Sequence, residues 1–271
     1  MRLVFRRFAV LLAAVLCLGS GAALAESTLE KIKRTGTFLA GVRFDFPPIG
    51  TVDAAGKPVG FGPELAQIIA EKLGAKVEFV QVTSQTRIAL LQSGRIDADI
   101  GPSTPTKQRE EVVDFTIPYV WDSVALVVAK GASLNVKDYG PPKKLATTQG
   151  SFIIELMKNE VPNAEIVLFQ EYPDAITALL NRKVDGVGIN RFSGEAFVKK
   201  SPSLTTSEDF FVDPWAIMLR QDDSKWRNYL NWTLQELWAQ GRYQELYAKH
   251  FGAPPRFRMW SEFRLQPGIG K

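Results

Sequence analysis

The chain has 271 residues, of which 45% are hydrophobic and 23% charged, with a formal charge of +4. That balance excludes a disordered or fibrous chain and is enough for one or two compact domains with a full core. A single cysteine excludes a zinc or thiol site built on cysteine pairs.

The first 25 residues differ in kind. MRLVFRR is cationic, FAVLLAAVLCLG is an apolar run short of a membrane span, and Ala23-Leu24-Ala25 has the small-x-small form, so a secretory signal cut after Ala25 is expected. The cut takes Arg2, Arg6 and Arg7 from 33 basic residues and leaves 30 against 29 acidic ones. The mature chain therefore lacks the basic surplus of a nucleic-acid binder. Cys17 leaves with the signal, and a chain of this length needs no disulfides.

After the signal, Thr28 to Arg34 reads as a short amphipathic helix and Phe38 to Val42 as a buried strand. DAAGKP at Asp53 to Pro58 is a hairpin-type turn. PELAQIIAEKL, Pro63 to Leu73, has helical spacing, with proline at its start and Gly74 beyond its end. A strand at Lys76 to Val82, a helix at Arg87 to Ser93 and strands at Asp97 to Ile100 and Val124 to Ala129 follow. Such alternation predicts βαβ units and a mostly parallel sheet.

A Lys/Gly/Pro-rich stretch, Lys130 to Lys144, breaks the series, and a second one begins. It has strands at Leu145 to Thr148, Glu165 to Phe169 and Gly186 to Ile189, with helices at Ser151 to Lys158 and Tyr172 to Asn181. LLQSGRIDADIG (Leu90 to Gly101) is echoed by LLNRKVDGVGIN (Leu179 to Asn190), each reading as helix, basic turn, strand and abrupt polar end. Ligands of open α/β sheets sit beyond the carboxyl ends of strands, which directs attention to Pro102 to Arg109 and to Asn190. From Ala216 on, a strand (AIMLR), helices at Ser224 to Gln240 and Arg242 to His250 and a polar tail complete the chain.

Enzymatic patterns are scarce. HExxH, GxSxG, the P-loop and GxGxxG followed by an acid are all absent from the sequence, and the one histidine, His250, sits where a helix ends and reads as a packing or capping residue. Binding without chemistry and without a cofactor is the expectation.

GVRFDFPPIGTVDAAGKPVGFGPELAQIIAEKLGA, STPTKQREEVVDFTIPYVWDS, VDGVGIN and AIMLRQDDSKW occur in the order of the periplasmic substrate-binding proteins of ABC importers for polar amino acids, the type 3 extracellular solute-binding family, which the chain resembles over residues 28 to 255. VTSQTRIALLQSG, Val82 to Gly94, is similar to the glutamate- and aspartate-binding members. The resemblance implies a two-lobe periplasmic binding protein fold, each lobe a mostly parallel sheet flanked by helices. The lobes would be residues 26–121 with 216–271, and residues 122–215, joined by a two-segment hinge. It also implies a monomer in the periplasm that closes on a small ligand and delivers it to an inner-membrane ABC permease with its ATPase.

By the same resemblance, Arg109 takes the ligand's α-carboxylate, for which a planar guanidinium supplies two parallel charge-assisted bonds. Thr104 supplies a hydroxyl and an amide to the same region. Arg43 and Arg87 fall on the two arginines that grip an acidic side chain, Ser84 on a hydroxyl beside them, and Phe46 on the aromatic that covers the ligand. Three arginines at the strand and helix ends of one lobe are costly without anions, which points to an acidic amino acid.

The second lobe departs from the pattern. Asn190 stands where the family carries an ammonium-binding aspartate, Tyr172 where acidic binders have a histidine, and Phe152 where they have a threonine. Gln149, Gly150 and Ser151 form a strand-to-helix turn with amides free for an anion. Asp213, in VDPWA near the inferred hinge, is the first candidate to replace the missing charge. Two alternatives follow: a dicarboxylate or modified amino acid without a standard α-ammonium, and a cyclohexadienyl dehydratase-like enzyme using Glu171 or Asp213 as general acid.

Overall fold

A computed structural model describes residues 26–257; the expected signal and the end of the tail lie outside the described residues. Helix α1 (Thr28–Thr35) is capped by Ser27, whose hydroxyl accepts from the amide of Leu29, and stops at Gly36 in the left-handed region. It leads into β1 (Thr37–Val42), which pairs in parallel with both β5 (Lys76–Gln81) and β6 (Ala98–Asp99). Between β1 and β5 lie a small sheet of β2 (Asp45–Phe46), β3 (Gly50–Val52) and β4 (Pro58–Val59), and α2 (Phe61–Leu73). The expected DAAGKP turn joins β3 to β4. Helices α3 (Arg87–Gln92) and α4 (Lys107–Glu110) flank β6.

The second series builds the matching unit. Strand β10 (Gly186–Asn190) pairs in parallel with β8 (Lys144–Thr148), and β8 with β9 (Glu165–Phe169). Helices α5 (Ile153–Glu160) and α6 (Tyr172–Leu180) connect these strands. Helix α5 starts two residues later than its periodicity predicts, because the Ser151 hydroxyl accepts from the amide of Ile153 and keeps Ser151 in the turn.

Two long strands join the units. Strand β7 (Val113–Ala129) is 17 residues and β12 (Phe211–Arg220) is 10. They pair antiparallel from Val113↔Arg220 to Val124↔Phe211, with the register slipping beside Trp215 and Ala216. β12 also runs against β6, and β7 against β10 and the short β11 (Leu204–Thr206), so the sheet order is β5-β1-β6-β12-β7-β10-β8-β9 with β11 beside β7. The sheet is parallel within each unit and antiparallel where the units meet.

Helices α8 (Ser224–Ala239) and α9 (Arg242–Phe251) return to the first unit. Trp226 of α8 packs edge-on to Phe38 at 5.6 Å and donates its indole N–H to the Asp97 carbonyl at 2.9 Å. His250 meets Glu64 of α2 at 2.8 Å and lies against Phe61, the packing role expected of it. Helix α7 (Arg191–Lys200), following β10, has no counterpart in the sequence expectation. Among the described residues, no helix is long and apolar enough to cross a membrane.

Candidate functional site

Strand ends of both units meet along one seam. The turn after β1 presents Arg43, the N-terminus of α3 presents Arg87, and α4 presents Arg109; all three are buried.

Their partners separate them. The Arg43 fork is filled by Asp45, Nε to Oδ1 and Nη2 to Oδ2 both at 2.7 Å, while Nη1 donates to the Ser84 hydroxyl at 3.1 Å. Burial alone would weaken this guanidinium's hold on its proton, but the charge and hydrogen bonds of Asp45 more than offset it and the pKa is raised. Arg87 donates from Nη1 to the Pro102 carbonyl at 3.2 Å and to Ser103 Oγ at 2.6 Å, and Asp99 stands 3.7 Å off. Ser103 in turn donates to Asp99 at 2.5 Å. Burial lowers the Arg87 pKa, opposed by Asp99. Arg87 Nε and Asp99 Oδ1 are buried without a hydrogen-bond partner.

Arg109 differs from both. Its bonds go to backbone carbonyls, Nη1 to Thr104 at 2.9 Å and Nη2 to Gly150 at 3.3 Å, and its guanidinium lies 5.9 Å from the Phe152 ring. Burial, and then repulsion from Arg87, depress its pKa to about 9. It stays charged at neutral pH and would gain from an arriving anion.

Asp213 enters from β12, fully buried. Thr104 Oγ1 donates to Oδ1 at 2.7 Å; the Asn190 amide at 2.6 Å and the Trp215 indole at 2.8 Å donate to Oδ2. Burial raises its pKa to about 6 against those three bonds and the charge of Arg109. Asn190, where an aspartate was the family expectation, therefore spends its amide N–H on a carboxylate from the joining strand.

The remaining expected residues line the same seam. Phe46 packs edge-on to Tyr172 at 5.3 Å and to Trp215 at 6.1 Å. Tyr172 is buried, its hydroxyl 3.4 Å from Thr147 and its amide donating to Asp45 at 3.2 Å. Ser84 Oγ is 3.5 Å from Thr148 Oγ1 in the facing unit. Phe152 lies 5.8 Å from Phe211. Gly150 holds φ +71°, and a Cβ there would come within 2.7 Å of the Ser84 carbonyl, so only glycine lets the two backbones approach this closely. Glu171 lies at the rim, accepting from Gln81 at 2.9 Å.

Sequence reasoning did not single out Asp99, Ser103, Thr148 or Trp215. DADIG and PSTPT carry the first two and adjoin expected site residues, while Thr148 and Trp215 meet the site only through long-range pairing. Among the described residues, no group of three or more His, Cys, Asp and Glu side chains could hold a metal ion.

The family model for bacterial extracellular solute-binding proteins, family 3, matches residues 38–253. The chain belongs to that family. It is similar to the ABC transporter glutamine-binding protein of Bacillus subtilis, 32% identical over 257 residues that cover 91% of this chain and 94% of that protein. Among solved structures it is similar to an ancestral arginine-binding protein bound to arginine, with a TM-score of 0.76, 33% identity and coverage of 80% of this chain and 99% of the other. It is also similar to the ancestral amino acid-binding protein described as a precursor of cyclohexadienyl dehydratase, with a TM-score of 0.78, 29% identity and coverage of 83% and 100%. The two-lobe fold of this family accounts for the two α/β units and the strands that join them, and the chain is a solute-binding protein.

Proposed function

We propose that the chain binds an amino acid as a zwitterion with a neutral polar side chain, in the periplasm, and delivers it to an inner-membrane ABC permease. The observation that carries this reading is the pairing of arginines with aspartates: Arg43 with Asp45, Arg87 with Asp99, and Arg109 with Asp213 through Thr104, whose carbonyl accepts from the arginine and whose hydroxyl donates to the aspartate. A cleft whose charges cancel favours a ligand whose charges cancel. Arg109 receives the α-carboxylate, Asp213 receives the α-ammonium in place of the family aspartate, and Ser84, Ser151, Phe46, Phe152 and Tyr172 surround the side chain. The similarity to a glutamine-binding protein points the same way.

The lobes on this reading are residues 26–121 with 216–271, and residues 122–215. In support, the register slips between Trp215 and Met218 on β12, opposite Phe115 to Val120 on β7, beside the 215/216 boundary and just short of 121/122, giving a bend point for hinge closure. Ligand bridging both lobes would stabilise the shut form by differential affinity.

A second reading, an acidic amino acid, is favoured by Arg87. Its contact with Asp99 is long and its Nε has no partner, so a side-chain carboxylate could still gain there. Turnover of the dehydratase kind has less support, because Glu171 is engaged at the rim and Asp213 is wrapped by three donors.

Titration calorimetry with L-glutamine, L-glutamate, L-arginine and succinate tests the reading. Tight glutamine binding with weaker glutamate is expected. Glutamate binding tighter than glutamine would transfer the conclusion to the second reading, and tight succinate binding would remove the role given to Asp213. Loss of prephenate or arogenate on incubation would establish an enzyme.

A further inference from the structure

Helix α6 begins without a cap of its own. Glu171 holds the N-cap position in extended conformation, φ −130° and ψ 153°, but its side chain makes no capping bond and turns instead to Gln81. Pro173 has no N–H. The Tyr172 amide, at the positive end of the helix, points out of its own lobe and donates to Asp45 Oδ2 at 3.2 Å, 127 residues away.

We propose that Asp45 is a positioning residue for closure: its carboxylate, set on one lobe, caps helix α6 of the other, so that the shut form gains a bond that needs no ligand. This rests on reading the chain as a two-lobe binder that opens and shuts.

The carboxylate is pre-oriented, since both its oxygens already accept from Arg43 at 2.7 Å. Opening would cost Asp45 nothing on its own side and would leave the Tyr172 amide to water. The bond is therefore a single reversible contact, made by charge at a helix terminus. The Phe46 and Tyr172 rings, edge-on at 5.3 Å, meet beside it, and Gln81 with Glu171 closes the rim outside. None of these groups is Arg109 or Asp213, so the cap and the ligand's charged ends occupy different places.

Two substitutions at one position isolate the amide. Tyr172→Ala removes the ring and keeps the N–H. Tyr172→Pro removes both, at a first helical position that tolerates proline and follows a residue already extended. Spin labels at exposed Lys76 and Lys183, one on each lobe, report the ligand-free distance, and stopped-flow reports the release of L-glutamine. Tyr172→Pro is expected to shift the ligand-free population toward longer distances than Tyr172→Ala does, and to release glutamine about tenfold faster, equivalent to about 1.4 kcal/mol. Identical distances and rates in the two variants overturn the proposal.

Should Tyr172→Pro not fold, hydrogen exchange of the Tyr172 amide in the unsubstituted protein reads the same bond. Protection that rises on adding L-glutamine supports it, and unchanged protection overturns it. Should L-glutamine not bind at all, the proposed ligand class fails, while the ligand-free distances still decide the cap.

Discussion

The two lobes share a helix, turn and strand pattern and yet meet the cleft with different chemistry. The first brings three buried arginines and two of the aspartates that answer them, all within residues 43–109. The second brings the Thr147 and Thr148 hydroxyls, the Gly150 carbonyl, the Phe152 and Tyr172 rings and the Asn190 amide. Charge is thus gathered mostly on one side, with Asp213 on the joining strand answering Arg109 through Thr104, and the facing side otherwise supplies dipoles and shape. The closure proposed above would bury few new charges, which would limit the desolvation cost that a symmetrical division of ions would carry.

The sharpest way to break this contrast is to unbalance the charged side. Asp45→Ala leaves Arg43 buried beside Ser84 alone, and a loss of about 3–5 kcal/mol in urea unfolding is expected. An unchanged midpoint would mean that Arg43 is free to serve a ligand after all. Next, Arg109→Ala removes the one of the three cleft arginines whose hydrogen bonds go to backbone carbonyls and not to a side chain, and calorimetry with L-glutamine is expected to show binding weaker by about 2–5 kcal/mol with little loss of stability.

Asp213 tests the joining strand. Its native carboxyl keeps a proton that an unfolded one, at 3.8, has released up to about pH 6, so its contribution to stability falls as pH rises through that window, by roughly 3 kcal/mol. Asp213→Asn is expected to flatten that part of the stability profile relative to the parent. Affinity for a zwitterion runs the other way: it weakens as pH falls below about 6, because the ammonium needs the ionised form. A ligand affinity constant from pH 8 to pH 5 would separate Asp213 from the ammonium. The smallest effect is expected at the rim, where Gln81→Ala removes an exposed bond to Glu171 and should cost about 1 kcal/mol or less in affinity.

Much of this was visible in the residues. Helical spacing located α2, with Gly74 at its end, and α6 and α9, and the echo of DADIG in DGVGIN located the two strand ends that face the seam. The long strands were seen only at one end. Val124 to Ala129 and Ala216 to Leu219 are unbroken apolar runs, while the stretch before each, holding Pro118, Trp121 and Asp122 or Asp213 and Pro214, mixes proline, aromatic and charged residues. Helix α7 was missed because RFSGEAFVKK shows no strong apolar face. The three arginines were found, but counting them without Asp45 and Asp99 overstated the cleft's positive charge. Asp45 answers Arg43 from two residues away, whereas Asp99 on β6 meets Arg87 on α3 only through the packing of those elements, which local spacing does not encode.

Strand β7 has one more consequence, for the order in which the molecule is made. At about 3.3 Å per residue it extends roughly 55 Å, a common beam through both halves. Residues 144–206 complete the parallel strands, helices and edge strand on its far end as one contiguous stretch. Its near end waits for β12, and for α8 and α9, where Asp223 at the cap of α8, Trp226 and Lys249 bind Ser27, Asp97 and Glu64 from much earlier in the chain. During synthesis the half encoded in the middle can assemble first, and the half that carries the arginines is finished last, by closing loops as long as 129 to 196 residues.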